Sequence, residues 1–438
     1  MRVIMQTVWM LFSAGLLSVW SLQACASVEI QSWQTSQGSK VMFVAAPELP
    51  MLDIEVVFDA GSARDGDQWG LASMTASLLG TKTPELNEEQ ISQQINALGA
   101  KMGGGVDRDM ASYSMRTLTR ESILKPALKL FSATLTEAQF DSQIFERERQ
   151  RLLVGLRQQQ KDPGALARNT FWEALYGDHP YAHPISGTPQ SVAALKLDDL
   201  RAFYQRYFVS ANATISIVGN VERKQAEVIA EQLLKGLPKG EKPPALPQPK
   251  ALQKAEKRVI EFDSSQTYYR HGQIAVERGH PDYYALFLGN HLLGGSGFGS
   301  LLMEEVREKR GLVYSVGSGM APLKVPGPWL AYLSTKNDSA NEAAQVVNET
   351  LEAFMKRIDD THFQAIKDNL IGGFPLRIDS NGKIIGYLSM IGFYGLPLDY
   401  LKQFPKIIAS LSKEQVLQAW KKHIHPDKMV TVMVGQPK

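Results

Sequence analysis

Four stretches in the first half of the chain are rich in β-branched and apolar residues: Val41–Ala45, Leu52–Phe58, Ser112–Leu118 and Thr214–Val218. Runs of this length and composition predict strands. Between them, apolar residues recur every three or four positions over Leu71–Leu79, Glu88–Leu98, Arg120–Leu135, Ile144–Gln160 and Leu197–Tyr207. That period predicts helices with one buried stripe. Asn87, followed three residues on by Gln90, has the form of a capping box. In chain order these elements do not follow strict βαβ alternation. That order predicts an α+β fold, a mostly antiparallel sheet with helices packed on one face.

The second half repeats the first. Phe203–Phe208 followed by Ala213–Gly219 matches Ala419–Ile424 followed by Met429–Gly435 without a gap, at a separation of 216 residues. Each reads as an amphipathic helix, a short turn and a β-branched strand ended by Gly. A repeat this long is a duplicated domain. The Pro-rich run 237–252 (LPKGEKPPALPQPKAL) reads as an extended linker between the copies. The expected limits are therefore 27–236 and 253–438, preceded by a targeting segment.

That segment is residues 1–26. Arg2 gives a positive start, Val8–Trp20 is apolar, and Ala24 and Ala26 form an A-x-A cleavage site. The apolar run is shorter than the roughly 20 residues that span a bilayer, and no other stretch is a membrane span. Cys25 is the only cysteine. Cleavage after Ala26 would leave a mature chain with neither disulfides nor Cys-based metal sites. An exported protein of that kind fits a periplasm. Leu22–Cys25 also has the look of a lipobox, so a lipoprotein anchored at Cys25 is the alternative.

A net charge of +2 with no basic cluster argues against nucleic acid as a partner. His179 and His183 are four apart, but Pro180 and Pro184 put them in a loop, without a carboxylate at ligand spacing. His423 and His425 straddle a helix end, where imidazoles favour the helix C-terminus. His271, His280, His291 and His362 stand alone. Gly294–Gly299 lacks both the Walker lysine and the G-x-G-x-x-G spacing of a nucleotide loop.

The segment Gly61–Thr81 (GSARDGDQWGLASMTASLLGT) resembles the pitrilysin/insulinase family of inverzincin peptidases, where it reads G-S-x-x-[DE]…G-x-A-H-x-x-E-H…G-T. In that family two His bind zinc and the Glu between them is the general base. Here those positions hold Ser73, Ala76 and Ser77. The family's third ligand, a Glu in a later helix leading to D-x-P, falls on Gly155. The resemblance continues in Tyr176–Thr188, similar to H-P-Y-x-x-P-x-x-G. Gly103–Leu118 is similar to the edge strand along which relatives align a peptide. In the second half, Leu292–Val316 is similar to L-G-G-G…S-x-L-x-x-x-[LV]-R-E-x-x-G-L-x-Y-x-V. It places Arg307 and Tyr314 at the spacing of the family's substrate-binding pair.

The resemblance implies a non-catalytic subunit of a heterodimer, inactive as a peptidase alone and without a cofactor of its own. Its homologous partner subunit would carry the zinc, and Arg307 and Tyr314 would help hold a peptide or unfolded polypeptide. The alternative is a stand-alone peptide-binding or scaffold protein. From the residues alone, Arg307 could instead pair with Glu304 or Glu308, and Tyr314 could pack.

Overall fold

The computed structural model describes residues 28–438. The targeting segment and Cys25 lie outside them. Each half builds one sheet. The first contains β1 (Gln31–Gln34), β2 (Lys40–Ala45), β3 (Met51–Phe58), β4 (Lys101–Val106), β5 (Ala111–Leu118) and β6 (Ala213–Gly219), in the order β1-β2-β6-β3-β5-β4. The second contains β7 (Glu256–Glu261), β8 (Gln266–Ile274), β9 (Val313–Met320), β10 (Pro328–Lys336) and β11 (Val430–Gly435), in the order β7-β11-β8-β10-β9. Apart from the extra β1, the two orders are the same. β2 with β6 and β7 with β11 run parallel, and every other pair is antiparallel. The α+β class and the duplication follow the sequence pattern. The repeated strands end in Gly219 and Gly435, with φ of 152° and 148°. A Cβ on Gly219 would lie 2.2 Å from Met51 O, so no larger residue fits that crossing.

Strand alternation splits each sheet into two apolar faces. In the first, Val41, Phe43, Leu52, Ile54, Ile215 and Ile217 face helices of their own half. Met42, Val44 and Val218 face the other way, into a core shared with Ile384, Leu388 and Ile391 of the second half. These last three lie on the helix Asn381–Tyr394, which packs on β2, β3 and β6. The second sheet is treated in kind. Val430, Val432 and Val434 meet Ala167, Phe171 and Ala174. Those belong to the helix Pro163–Tyr176 of the first half, which packs on β8 and β11. Each half thus lends one helix to the other's sheet, and both sheets are covered on both faces.

The turn between β4 and β5 fastens both lent helices. The Arg108 guanidinium lies 3.6 Å from the Trp172 ring centroid, on the helix Pro163–Tyr176. Asp109, 1% exposed, accepts from the hydroxyl of Tyr394 at 2.9 Å, from the hydroxyl of Tyr181, and from the backbone N–H of Lys324 at 2.8 Å. Close by, Asp59 pairs with Arg64 of its own half and Lys324 of the other. The segment 237–252 has no regular structure, yet it does not run free. Pro244 O accepts from Arg64, Pro247 O bonds His179, and Leu246 is buried. Among the described residues no helix is long and apolar enough to cross a membrane.

Asp109→Ala would leave three donors without their acceptor, one buried and two partly buried. At about 1–3 kcal/mol for each buried group left unsatisfied, partly offset by losing a buried carboxylate, we expect a loss of about 2–5 kcal/mol in urea unfolding. A loss under about 0.5 kcal/mol would show that the turn does not hold the halves together.

Candidate functional site

Ser73, Ala76 and Ser77 lie on the helix Leu71–Leu78, whose Leu71, Met74 and Leu78 are in the core. Its start is set by Asp65, within G-S-x-x-D. Asp65 accepts from the backbone N–H groups of Gly70 at 2.8 Å and Ala72 at 2.7 Å. A carboxylate there satisfies two free N–H groups and opposes the positive helix end. Asp65 is 3% exposed, and burial pushes its carboxyl up to about 7 against those two bonds. The helix packs on Ser142–Gln159, which carries Gly155.

The structure thus brings together the two helices that hold the four positions. Their chemistry does not fit zinc. The Ser73 hydroxyl donates to Ile185 O at 2.9 Å, and that of Ser77 to Met74 O at 2.8 Å. Ala76 and Gly155 have no donor atom. A Cβ on Gly155 would meet nothing within 4 Å, so a longer side chain has room.

Arg307 and Tyr314 come together in the second half. The helix Tyr283–Asn290 runs on through a π turn, His291–Gly295, into a tight turn, Gly297–Gly299. A second π turn, Met303–Glu308, carries Arg307. Such turns favour functional sites because they displace one side chain from helical register. The chain then reverses at Gly311, whose N–H bonds Arg307 O at 2.8 Å, and enters β9 with Tyr314. Asn290 ties the loop to this strand: its Oδ1 accepts from Ser318 Oγ at 2.8 Å and Trp329 Nε1 at 2.9 Å.

Tyr314 is 86% exposed, so it does not pack into the core. Arg307 makes no ion pair among the described residues. Glu304 and Glu305 are taken by Lys309 and Arg310 instead. The Arg307 guanidinium sits 5.2 Å from the Tyr314 ring centroid and 4.7 Å from that of Phe298, which is 69% exposed. Two aromatic faces therefore hold the cation by cation–π attraction while leaving its N–H edge for a ligand. Phe298 was not singled out from the sequence. Its signal was an aromatic residue between two glycines, a place with no neighbours to bury it.

The edge-strand segment resolves into a hairpin. Of its two strands β5 is interior and β4 is an outer strand of the sheet, with Gly103–Gly105 exposed there. His179 and His183 lie in a packed loop, with His183 stacked on Trp69 at 5.4 Å. His280, expected to stand alone, does not: it meets His423 and Asp282. The two histidines are 143 positions apart in sequence, so only the fold joins them.

Two outcomes are expected here. A carboxyl whose folded pKa is raised keeps a proton that the unfolded chain loses near pH 4, so its contribution to stability falls as pH rises through about 7. Melting temperature should therefore drop between pH 5 and pH 8, and Asp65→Asn should flatten that drop; equal slopes would clear Asp65 of this role. Second, a chain carrying Ser73→His, Ala76→Glu, Ser77→His and Gly155→Glu together should take up about one more zinc than the natural chain in metal analysis. No added zinc would mean the two helices do not present these positions to one point.

Comparisons with known proteins give the family of the chain. Residues 40–189 match the family model of insulinase, peptidase family M16. Residues 194–370 match that of the peptidase M16 inactive domain. A Helicobacter pylori protein described as the non-peptidase homolog YmxG is 25% identical over 395 residues, covering 89% of this chain and 90% of its own. The crystal structure of a peptidase M16 inactive domain from Pseudomonas fluorescens is 38% identical, with a TM-score of 0.91 over 94% of this chain and 98% of that one. A Helicobacter pylori protease structure has a TM-score of 0.86 at 20% identity, covering 93% of this chain and 99% of that one, a likeness of fold. With both halves matched, this chain belongs to peptidase family M16, the insulinase family, and is similar to its inactive-type members.

Proposed function

We propose that this chain is the non-catalytic subunit of a heterodimeric zinc peptidase. It would pair with a homologous subunit that carries the metal and close a chamber around a peptide or unfolded polypeptide. The observation that carries this reading is Arg307. It is held between exposed Phe298 and Tyr314 and has no acidic partner, in a chain whose own zinc positions carry no ligand set. An unpaired guanidinium on the surface is free to grip a peptide carbonyl or carboxylate through several N–H groups. The Tyr314 hydroxyl is free to donate to the oxyanion formed at the partner's zinc. The outer edge of β4, without side chains over Gly103–Gly105, suits an extended peptide added as a strand. The targeting segment 1–26 supports export to a periplasm.

The partner is expected to be an exported homologue with intact H-x-x-E-H, co-purifying with about one catalytic zinc per pair. In the reconstituted pair, Arg307→Ala should lower kcat/KM about tenfold to a hundredfold, since hydrogen bonds to a charged group are worth roughly 1.5–3 kcal/mol. Tyr314→Phe should lower kcat by about a hundredfold or more, as loss of an oxyanion donor does. Unchanged peptide cleavage by the Arg307→Ala pair would reject the proposal. So would a lone chain that is a self-sufficient peptide-binding monomer and ignores the partner.

A further inference from the structure

We propose that His280, Asp282 and His423 form a binding site for a divalent transition-metal ion of the zinc type, separate from the family's zinc motif. It joins the start of one helix to the end of another. Asp282 immediately precedes the helix Tyr283–Asn290, and His423 is the last residue of the helix Lys413–His423. The two helices pack together. One ligand atom from each of the three side chains lies within 4.8 Å of the others. His423 Nε2 is 2.7 Å from Asp282 Oδ2. His280 Nδ1 accepts from the Asp282 backbone N–H at 3.1 Å, which holds the ring beside that residue. The two imidazoles stand nearly perpendicular, at 83°, with centroids 4.8 Å apart. They approach one point from different directions and do not stack.

Two imidazole nitrogens and one carboxylate oxygen are the donor set of zinc and its first-row neighbours. Calcium and magnesium require more oxygens than this place offers. Three protein ligands leave a fourth position for water. The place already attracts a cation: the Lys422 ammonium sits 2.8 Å from Asp282 Oδ2. The Lys422 side chain is 66% exposed and can swing into solvent, whereas those of Asp282 and His423 are 30% and 14% exposed and stay in place. On binding, the metal would displace Lys422 from Asp282, take the place that the His423 Nε2 hydrogen holds against the carboxylate while that hydrogen moves to Nδ1 of the same ring, and capture the His280 lone pair from the Asp282 N–H. The bonded helix is the one that runs on into the glycine loop bearing Phe298, so the ion would stiffen the frame of that loop.

The test uses the tag-free mature chain, stripped with chelator and titrated with zinc chloride by calorimetry, with melting temperature read alongside. The natural chain should bind one zinc and melt higher with it. His280→Ala and His423→Ala should each weaken binding at least about tenfold, since these are direct ligands. Lys422→Ala should tighten binding several-fold by removing the competing ammonium. Circular dichroism confirms that each variant is folded, and His280→Gln serves if His280→Ala is not. Absence of zinc binding by the natural chain, or binding that neither histidine variant weakens, overturns the proposal. So does binding that Lys422→Ala weakens, because the lysine would then be supporting the site and not blocking it.

Discussion

Everything in this molecule depends on covering two sheets that each have a second apolar face. The helices of one half cover only one face of its own sheet. The other face is closed by a helix lent from the opposite half, Asn381–Tyr394 on the first sheet and Pro163–Tyr176 on the second. Apolar burial of this kind is the main favourable term in folding, and here it is available only when both halves are present. The duplication is therefore more than two domains on a string. The linker reflects this, being tied down by Arg64 and His179 along its course.

The seam also carries the buried polar groups that the exchange demands. Asp109 and Arg108, adjacent in one turn, reach opposite lent helices, one through Tyr394 and the other through Trp172. Glu55, on the covered face of β3, is bonded by Ser389 of the lent helix. Burial pushes the Glu55 carboxyl up, as it does that of Asp109. These groups fix the register of the halves because each has partners at only one alignment. The surface bearing Arg307 and Tyr314 is thereby held in one alignment with the helices that carry Ser73 and Gly155.

The helix frame around Ser73, Ala76 and Ser77 is legible in the sequence, because flanking glycines and an apolar stripe mark it, and the resemblance to the family then points to these positions and to Gly155. The spacing of Arg307 and Tyr314 was visible for the same reason. Less visible was what Arg307 does. Glu304 and Glu308 are its sequence neighbours, and helical spacing made an ion pair as reasonable as a free cation. In the structure Arg307 lies in a π turn, makes an ion pair with neither glutamate and sits beside two aromatic rings. Local spacing assumes an α-helix, and a five-residue turn breaks that assumption.

By itself the sequence determined the α+β class, the repeat and a part of the element positions, chiefly in the first half, and it shows Ser73, Ala76, Ser77 and Gly155 where the resemblance implies metal ligands. These rest on local periodicity and on residue identity, which are properties of neighbours along the chain. The tertiary structure alone decided which helix covers which sheet, and that Asp53 and Glu55, alternating with apolar residues as a solvent-facing row would, are instead covered at the seam. It alone brought His280 to His423 and Phe298 to Arg307. Period two tells the two faces of a strand apart but cannot say what lies against either of them. When the covering helix begins more than 300 residues later, no local pattern records it.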